Sequence, residues 1–79
     1  MREFEDPDGV RWRAEVAERG GPNYKGRYHL VMSELDGAEV VSLVDIRWNS
    51  ERTAARTLDT MSLVELRRRL RSARGRSAS

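Results

Sequence analysis

Four apolar side chains occupy every second position near the start of the chain: Val10, Trp12, Ala14 and Val16. A period of two places them on one face of a β-strand and puts the mainly charged residues between them on the other face. With 79 residues and no cysteine, we expect a single small domain without disulfides. Another element must therefore pack on the apolar face of the sheet to which this strand belongs.

Turn signals divide the first half of the chain into further strands. Residues 6–9, Asp-Pro-Asp-Gly, favour a turn because proline presets φ at the second position and glycine is accommodated at the fourth. A short strand is predicted before this turn, over residues 2–5, and another over residues 28–35. Asp36-Gly37 then predicts a two-residue type I′ hairpin with positive φ at both residues, followed by a return strand over residues 38–48.

This hairpin predicts a register in which the numbers of facing residues sum to 73. One face then carries Tyr28, Leu30, Met32, Val41 and Leu43. The opposite face carries Val31, Leu35, Val40, Val44, Ile46 and Trp48. A slip of one residue would exchange the two faces, so the sequence leaves the register open. Because exposed apolar patches mark interaction surfaces, we expect the face without a helix to bind a partner protein or, in a homodimer, a second copy of the chain.

A helix is predicted near the end of the chain, over residues 63–74. Ser62 and Glu65 have the spacing of a capping box, which marks the start of a helix. The predicted apolar stripe consists of Leu63, Leu66, Leu70 and Ala73. Gly75 suits the position after the last turn, so we expect a domain over residues 1–74 and a frayed basic tail over residues 75–79.

The segment between the last strand and this helix is ambiguous. Residues 49–57 are polar and suit either a loop or a short helix capped by Ser50. The predicted fold class is therefore α+β: an antiparallel meander sheet of three or four strands, with one C-terminal helix packed on one face.

Charge is distributed unevenly along the chain. Residues 67–79 contain six arginines and no acid, whereas the rest of the chain carries a net charge of −4. Arg67, Arg71 and Arg74 share one face of the predicted helix, and Arg68 lies beside it. These four side chains are candidates for binding an acidic protein or several phosphates. The alternative is a solvated helix end whose arginines complement the helix dipole.

A glycine-rich loop over residues 19–27 is the second candidate site. It contains three cations and an aromatic side chain, and the candidate binding residues are Tyr24, Lys25 and Arg27. Backbone N–H groups and aromatic stacking would bind a phosphate or a single strand there. The alternative is a plain hairpin connection, since the spacing of a phosphate-binding loop is absent.

The chain lacks the side chains that most catalytic sites require. It has no cysteine and a single histidine, His29, and no serine lies in a nucleophile elbow. We therefore expect no enzyme activity and no cofactor or metal. No apolar run reaches the length of a membrane span, and the acidic N-terminus does not resemble a signal peptide, so a cytoplasmic protein is expected.

The sequence favours a non-catalytic interaction module that binds a protein partner through a sheet face or through the arginine-rich helix. The alternative function is that of a small nucleic-acid-binding protein that uses the arginine-rich helix and the basic loop. The first would bind in a way that persists in salt, whereas the second would weaken steeply as salt rises.

Overall fold

The computed structural model describes residues 1–18 and 27–77. Within these ranges, four strands are followed by two helices. The strands are β1 (Arg2–Glu5), β2 (Arg11–Glu18), β3 (Tyr28–Glu34) and β4 (Val40–Trp48), and the helices are α1 (Glu51–Thr60) and α2 (Leu63–Ser77). The sheet is antiparallel with the strand order β1-β2-β3-β4. The predicted α+β class and the meander order are therefore confirmed.

The turn between β1 and β2 forms as predicted. The Gly9 N–H donates to the carbonyl of Asp6 at 3.0 Å, and the Asp6 N–H donates to the carbonyl of Val10 at 2.8 Å. Gly9 has φ of 84°, in the left-handed region that glycine adopts without strain. The turn thus reverses the chain sharply and brings β1 against β2.

The hairpin between β3 and β4 has a longer loop than predicted. The Glu34 N–H donates to the carbonyl of Glu39 at 2.9 Å, so the loop spans residues 35–38. Gly37 does not have positive φ, since Gly9 alone has it among the described residues. The predicted type I′ turn is therefore wrong. A four-residue loop keeps the same sum of facing residues, which is why the register next to it is still correct.

The register of β3 and β4 is confirmed near the turn and is shifted at the other end. Leu30 faces Leu43, as predicted, but a bulge follows and Tyr28 then faces Trp48. The shift is an odd number of residues, so the side chains beyond it change faces. Trp48 packs against the core, and Ile46 lines a small cavity beside Leu30 and Leu43. The prediction that Ile46 and Trp48 lie on the opposite face is wrong.

The segment that the sequence left ambiguous is helix α1. The Ser50 hydroxyl oxygen accepts a hydrogen bond from the Thr53 N–H at 3.1 Å, which caps the helix. Within α1, Ala54 and Leu58 are completely buried on the side that faces the sheet. Two apolar residues four positions apart give too weak a periodicity to identify a helix by sequence. The prediction of one C-terminal helix is therefore wrong, and both helices pack on the sheet.

Helix α2 begins where the sequence predicts and ends later. The Glu65 N–H donates to the Ser62 hydroxyl oxygen at 3.1 Å. The helix continues through Gly75, past the predicted end at residue 74. Leu66 is completely buried, but Leu63 is 43% exposed, so its place in the apolar stripe is wrong. Met61, which precedes the helix, packs against the core at this end instead.

The core lies between the two helices and one face of the sheet. It is formed by Phe4, Trp12, Ala14, Leu30, Met32, Val41, Leu43, Leu58, Leu66, Leu70 and Ala73. Arg2 connects β1 to the end of α1, where its Nη1 donates to the carbonyls of Leu58 and Asp59 at 3.1 Å and of Met61 at 2.9 Å. Carbonyls at the end of a helix have no partner within it, so this arginine caps α1.

Candidate functional site: an arginine cleft beside helix α2

The side chain of Asp6 holds the β1–β2 turn in place. Its Oδ1 accepts hydrogen bonds from the N–H groups of Asp8 and Val10, each at 2.9 Å. Its Oδ2 accepts from the Trp12 indole N–H at 3.0 Å. The carboxylate is bonded on both oxygens, which constrains the turn, and Pro7 is exposed on the side that faces α2.

Asp6 stays ionised in this environment. Burial alone would raise the pKa of its carboxyl group, but the hydrogen bonds from Val10, Trp12 and Asp8 stabilise the charged form and outweigh that effect. The positive charge of Arg74 acts in the same direction, so the pKa of Asp6 is below its ordinary value.

Two of the candidate arginines brace α2 against the sheet. The Arg67 Nε donates to the backbone carbonyl of Glu5 at 2.8 Å. Arg74 donates from Nε and Nη2 to the two carboxylate oxygens of Glu39, at 2.9 and 3.2 Å. The Arg74 guanidinium also lies 5.4 Å from the ring centroid of Trp12, a cation–π contact. The contacts of Arg74 within the protein give it a structural role.

The other two candidate arginines, Arg68 and Arg71, differ in how far nearby acids neutralise their charge. Arg68 and Arg69 share the carboxylate of Glu65, at 3.3 and 2.8 Å. Arg71 is exposed and has no hydrogen bond or ion pair with any residue that the structure describes. Arg71 therefore carries the most available positive charge on this side of α2.

A cleft of about 250 Å³ lies between the β1–β2 turn and the outer side of α2. Its lining residues are Pro7, Val64, Arg67, Arg68 and Arg71, and we call it the arginine cleft. None of these lining residues is acidic. Val64 is 67% exposed and supplies, with Pro7, an apolar wall. Three guanidinium groups and an apolar wall suit a carboxylate carried on or beside an apolar side chain.

A larger groove of about 740 Å³ continues from the cleft along the end of α2. It shares Pro7, Arg67 and Arg71 with the cleft, and Arg74 and three acidic residues, Asp6, Asp8 and Glu39, also line it. These acids balance the arginines in the groove, whereas the arginine cleft remains cationic. The electrostatic preference for an anion is thus confined to the cleft.

The predicted site residues do not form one site. The structure brings Arg67, Arg68 and Arg71 together at the cleft. Arg27 instead forms an ion pair of 3.6 Å with Glu18 at the far end of β2. Trp12, on which Arg74 stacks, precedes Glu18 by six positions, which corresponds to roughly 20 Å along a strand. Arg27 therefore does not contribute to the arginine cleft.

The other predicted residues of the glycine-rich loop, Tyr24 and Lys25, lie outside the described residues. Sequence reasoning also missed two members of the cleft, Pro7 and Val64. A signal for Val64 was present, because the three arginines follow it at helical spacings of three, four and seven positions. Pro7 gave no such signal, since its position depends on how the turn packs against α2.

The sheet face without helices is not the continuous apolar surface that the sequence predicted. Glu3 forms ion pairs across it with Arg11 at 3.4 Å and with Arg13 at 3.3 Å. Among the residues that the structure describes, the exposed large apolar side chains on this face are Val40, at 61%, and Val44, at 37%. Both belong to the edge strand β4, so the apolar surface is a narrow strip.

Metal-binding clusters and membrane-spanning helices are both absent from residues 1–18 and 27–77, which the structure describes. No group of three or more histidine, aspartate or glutamate side chains in this part of the chain is arranged to hold a metal ion. Neither helix combines the length and apolar character needed to cross a membrane. His29 is buried, at 8% exposure.

Comparison with known proteins gives no relative. The chain matches no protein-family model, no curated protein and no solved structure.

Proposed function

We propose that this protein is a non-catalytic interaction module that binds an acidic segment of a partner protein in the arginine cleft. The observation that carries the proposal is Arg71, whose guanidinium lines a cleft without acids and has no partner among the described residues. A carboxylate placed there would form charge-assisted hydrogen bonds, which are about twice as strong as neutral ones.

The neighbouring arginines support the same chemistry. The Arg67 Nε donates to a backbone carbonyl, which holds the side chain at the cleft without neutralising its positive charge. Arg68 is 71% exposed and shares Glu65 with a second arginine, so it is only partly neutralised. A rigid guanidinium loses less side-chain entropy on binding. Arg67 is therefore expected to orient the ligand, and Arg71 to contribute most of the affinity.

The apolar wall favours a peptide over nucleic acid. Val64 and Pro7 are exposed next to the guanidinium groups, where an apolar side chain beside a carboxylate would bury both of them. A phosphate backbone makes no use of such a wall. The rest of the chain carries a net charge of −4, which opposes a long polyanion.

The alternative is a small nucleic-acid-binding protein that uses the same arginines. Arg67, Arg68 and Arg71 follow one side of α2, so they suit consecutive phosphates. If all three contacted phosphates of duplex DNA, the log–log dependence of affinity on salt would have a slope of about −2.7. Arg74 is not counted, because it is bonded to Glu39.

A titration of the protein with a labelled peptide of alternating glutamate and leucine tests the proposal. The Arg71→Gln variant is expected to bind about 10- to 150-fold more weakly, since a hydrogen bond to a charged group contributes about 1.5–3 kcal/mol. Arg56→Gln is the matched control, because Arg56 is exposed on α1 and the change in charge is the same.

Two results would contradict the peptide proposal. One is an equal loss of affinity in both variants, which would indicate a non-specific effect of net charge. The other is equally tight binding of a peptide in which glutamine replaces glutamate. The nucleic-acid-binding alternative is tested by titrating labelled duplex and single-stranded nucleic acid at about 50 mM salt. It requires binding at micromolar protein and a log–log salt dependence of affinity with a slope of about −2.7 on duplex DNA.

A further inference from the structure

The two edges of the sheet differ in how well they are protected. The edge strand β1 has four residues, and three of them are charged: Arg2, Glu3 and Glu5. Short, charged edges resist pairing with another strand. The other edge strand, β4, has nine residues, and its first five, from Val40 to Val44, carry no charge. In the described part of the chain, β4 is therefore the edge that is open to another strand.

The hydrogen bonding of β3 determines which backbone groups of β4 point outward. Residue 39 bonds to β3, because the Glu34 N–H donates to the carbonyl of Glu39. Bonded residues alternate along an antiparallel strand, so residues 40, 42 and 44 direct their N–H and C=O groups away from the sheet. The Val44 carbonyl accepts a hydrogen bond from the Arg47 Nε at 3.0 Å. The outward groups of Val40 and Ser42 have no partner among the described residues.

The sequence of these outward positions reads the same in both directions: valine, serine, valine. An antiparallel strand related by a two-fold axis at Ser42 would place Val40 opposite Val44 of the second copy. Ser42 would then face Ser42 of the second copy. The central pair of Ser42 residues could form two backbone hydrogen bonds, since both direct their N–H and C=O groups outward. Each Val40–Val44 pair could form one from the Val44 N–H to the Val40 carbonyl, because the Val44 carbonyl already accepts from Arg47.

We propose that β4 pairs with β4 of a second copy of this chain and joins two sheets into one. A two-fold axis requires a surface that complements itself, and the palindromic, uncharged edge meets that requirement. The exposed side chains of Val40 and Val44 would pack against each other as cross-strand pairs. This uncharged edge has no group that would complement a charged strand of another protein, so a second copy of the same edge is favoured.

The pairing is limited to a short stretch of β4. The bulge after Leu43 and the hydrogen bond from Arg47 to Val44 interrupt the edge, so about five residues of each copy would pair. Such a contact is smaller than the roughly 1,200–2,000 Å² that stable interfaces bury. The dimer is therefore weak and forms as protein concentration rises. The sequence predicted a homodimer formed by the open sheet face, with Val31, Val40, Val44 and Ile46 in the contact. Ile46 instead lies on the helix side, so we propose pairing through the edge of β4 in place of that face.

Sedimentation velocity and amide hydrogen exchange over about 10 µM to 1 mM protein test the pairing. The sedimentation coefficient is expected to rise with concentration. The amides of Val40, Ser42 and Val44 should become slower to exchange in the same range, whereas Val41 and Leu43 are already bonded within the sheet and should change little.

Ser42→Pro removes the central outward N–H, and an edge strand tolerates proline at such a position. This variant is expected to remain folded and monomeric, with an unchanged exchange pattern at Leu66 in the core. Ser42→Ala retains the N–H and should associate as the unsubstituted protein does. A single monomeric species at about 1 mM would overturn the proposal. It would also fail if folded Ser42→Pro associated normally, or if the slowed amides lay elsewhere.

Discussion

Replacing Leu66 by alanine is expected to remove much of the stability of this protein. Leu66 is completely buried between α2 and the sheet. The substitution removes three carbon atoms, which costs about 2.4 kcal/mol of transfer free energy at about 0.8 kcal/mol for each. The cavity left behind adds to this cost, so we expect a loss of about 3–5 kcal/mol in the free energy of unfolding.

That loss is large for a chain of 79 residues. At about 0.05–0.15 kcal/mol per residue, its free energy of unfolding is about 4–12 kcal/mol. A domain of this size loses about 4–8 °C in Tm for each kcal/mol, so the lower bound of 3 kcal/mol corresponds to about 12–24 °C. Leu66→Ala is therefore expected to be marginally folded at room temperature.

Leu63→Ala is the matched control on the same helix. Leu63 is 43% exposed, so its removal is expected to cost less than about 1 kcal/mol. Urea unfolding of both variants, followed by the fluorescence of the two tryptophans, Trp12 and Trp48, which both pack in or against the core, measures the difference at an unchanged m-value. Equal midpoints for Leu63→Ala and Leu66→Ala would refute the packing of α2 described above.

Three further predictions concern the turns and β1. Gly9→Ala should lower the Tm, because φ of 84° strains a residue with a Cβ, whereas Gly37→Ala should be nearly neutral once the end of the flexible, half-buried Glu34 side chain moves aside. Because the pKa of Asp6 is lowered in the folded protein, its ionised carboxylate stabilises the fold. This contribution is complete above the ordinary carboxyl pKa of about 3.9 and is lost as pH falls through the folded pKa. Asp6→Asn should therefore reduce the dependence of Tm on pH in acid. Arg2→Met should speed hydrogen exchange in α1 by uncapping its last carbonyls.

Local signals in the sequence were sufficient for much of the fold. The Asp-Pro-Asp-Gly turn depends only on the backbone preferences of its own residues. Strand β2 could be identified because its apolar and polar residues alternate, as expected where successive side chains lie on opposite faces of a sheet. The start of α2 was predictable because Ser62 caps it within one turn. Trp48 was misplaced because a bulge depends on pairing between strands and has no signature in β4 itself.

The candidate site was predictable in outline and not in detail. Helical spacing brought Arg67, Arg68 and Arg71 to one side of α2. Which arginines of α2 are free to bind a ligand depends on partners far along the chain: Glu39, which neutralises Arg74, is 35 positions away. The arginine left without a partner could therefore be identified only after the turn, the hairpin and the helix were placed together.

The proposal that the arginine cleft, and not the open sheet face, binds the partner is tested most directly by mapping backbone amide chemical shifts. The protein would be titrated with the glutamate–leucine peptide. The largest shifts are expected at Val64, Arg68 and Arg71, with little change at Ser33 and Ser42 on the open face, and Arg71→Gln should require at least about tenfold more peptide to produce them. Shifts centred on the open face, or cleft shifts that saturate at the same peptide concentration in Arg71→Gln as in the unsubstituted protein, would contradict the proposal.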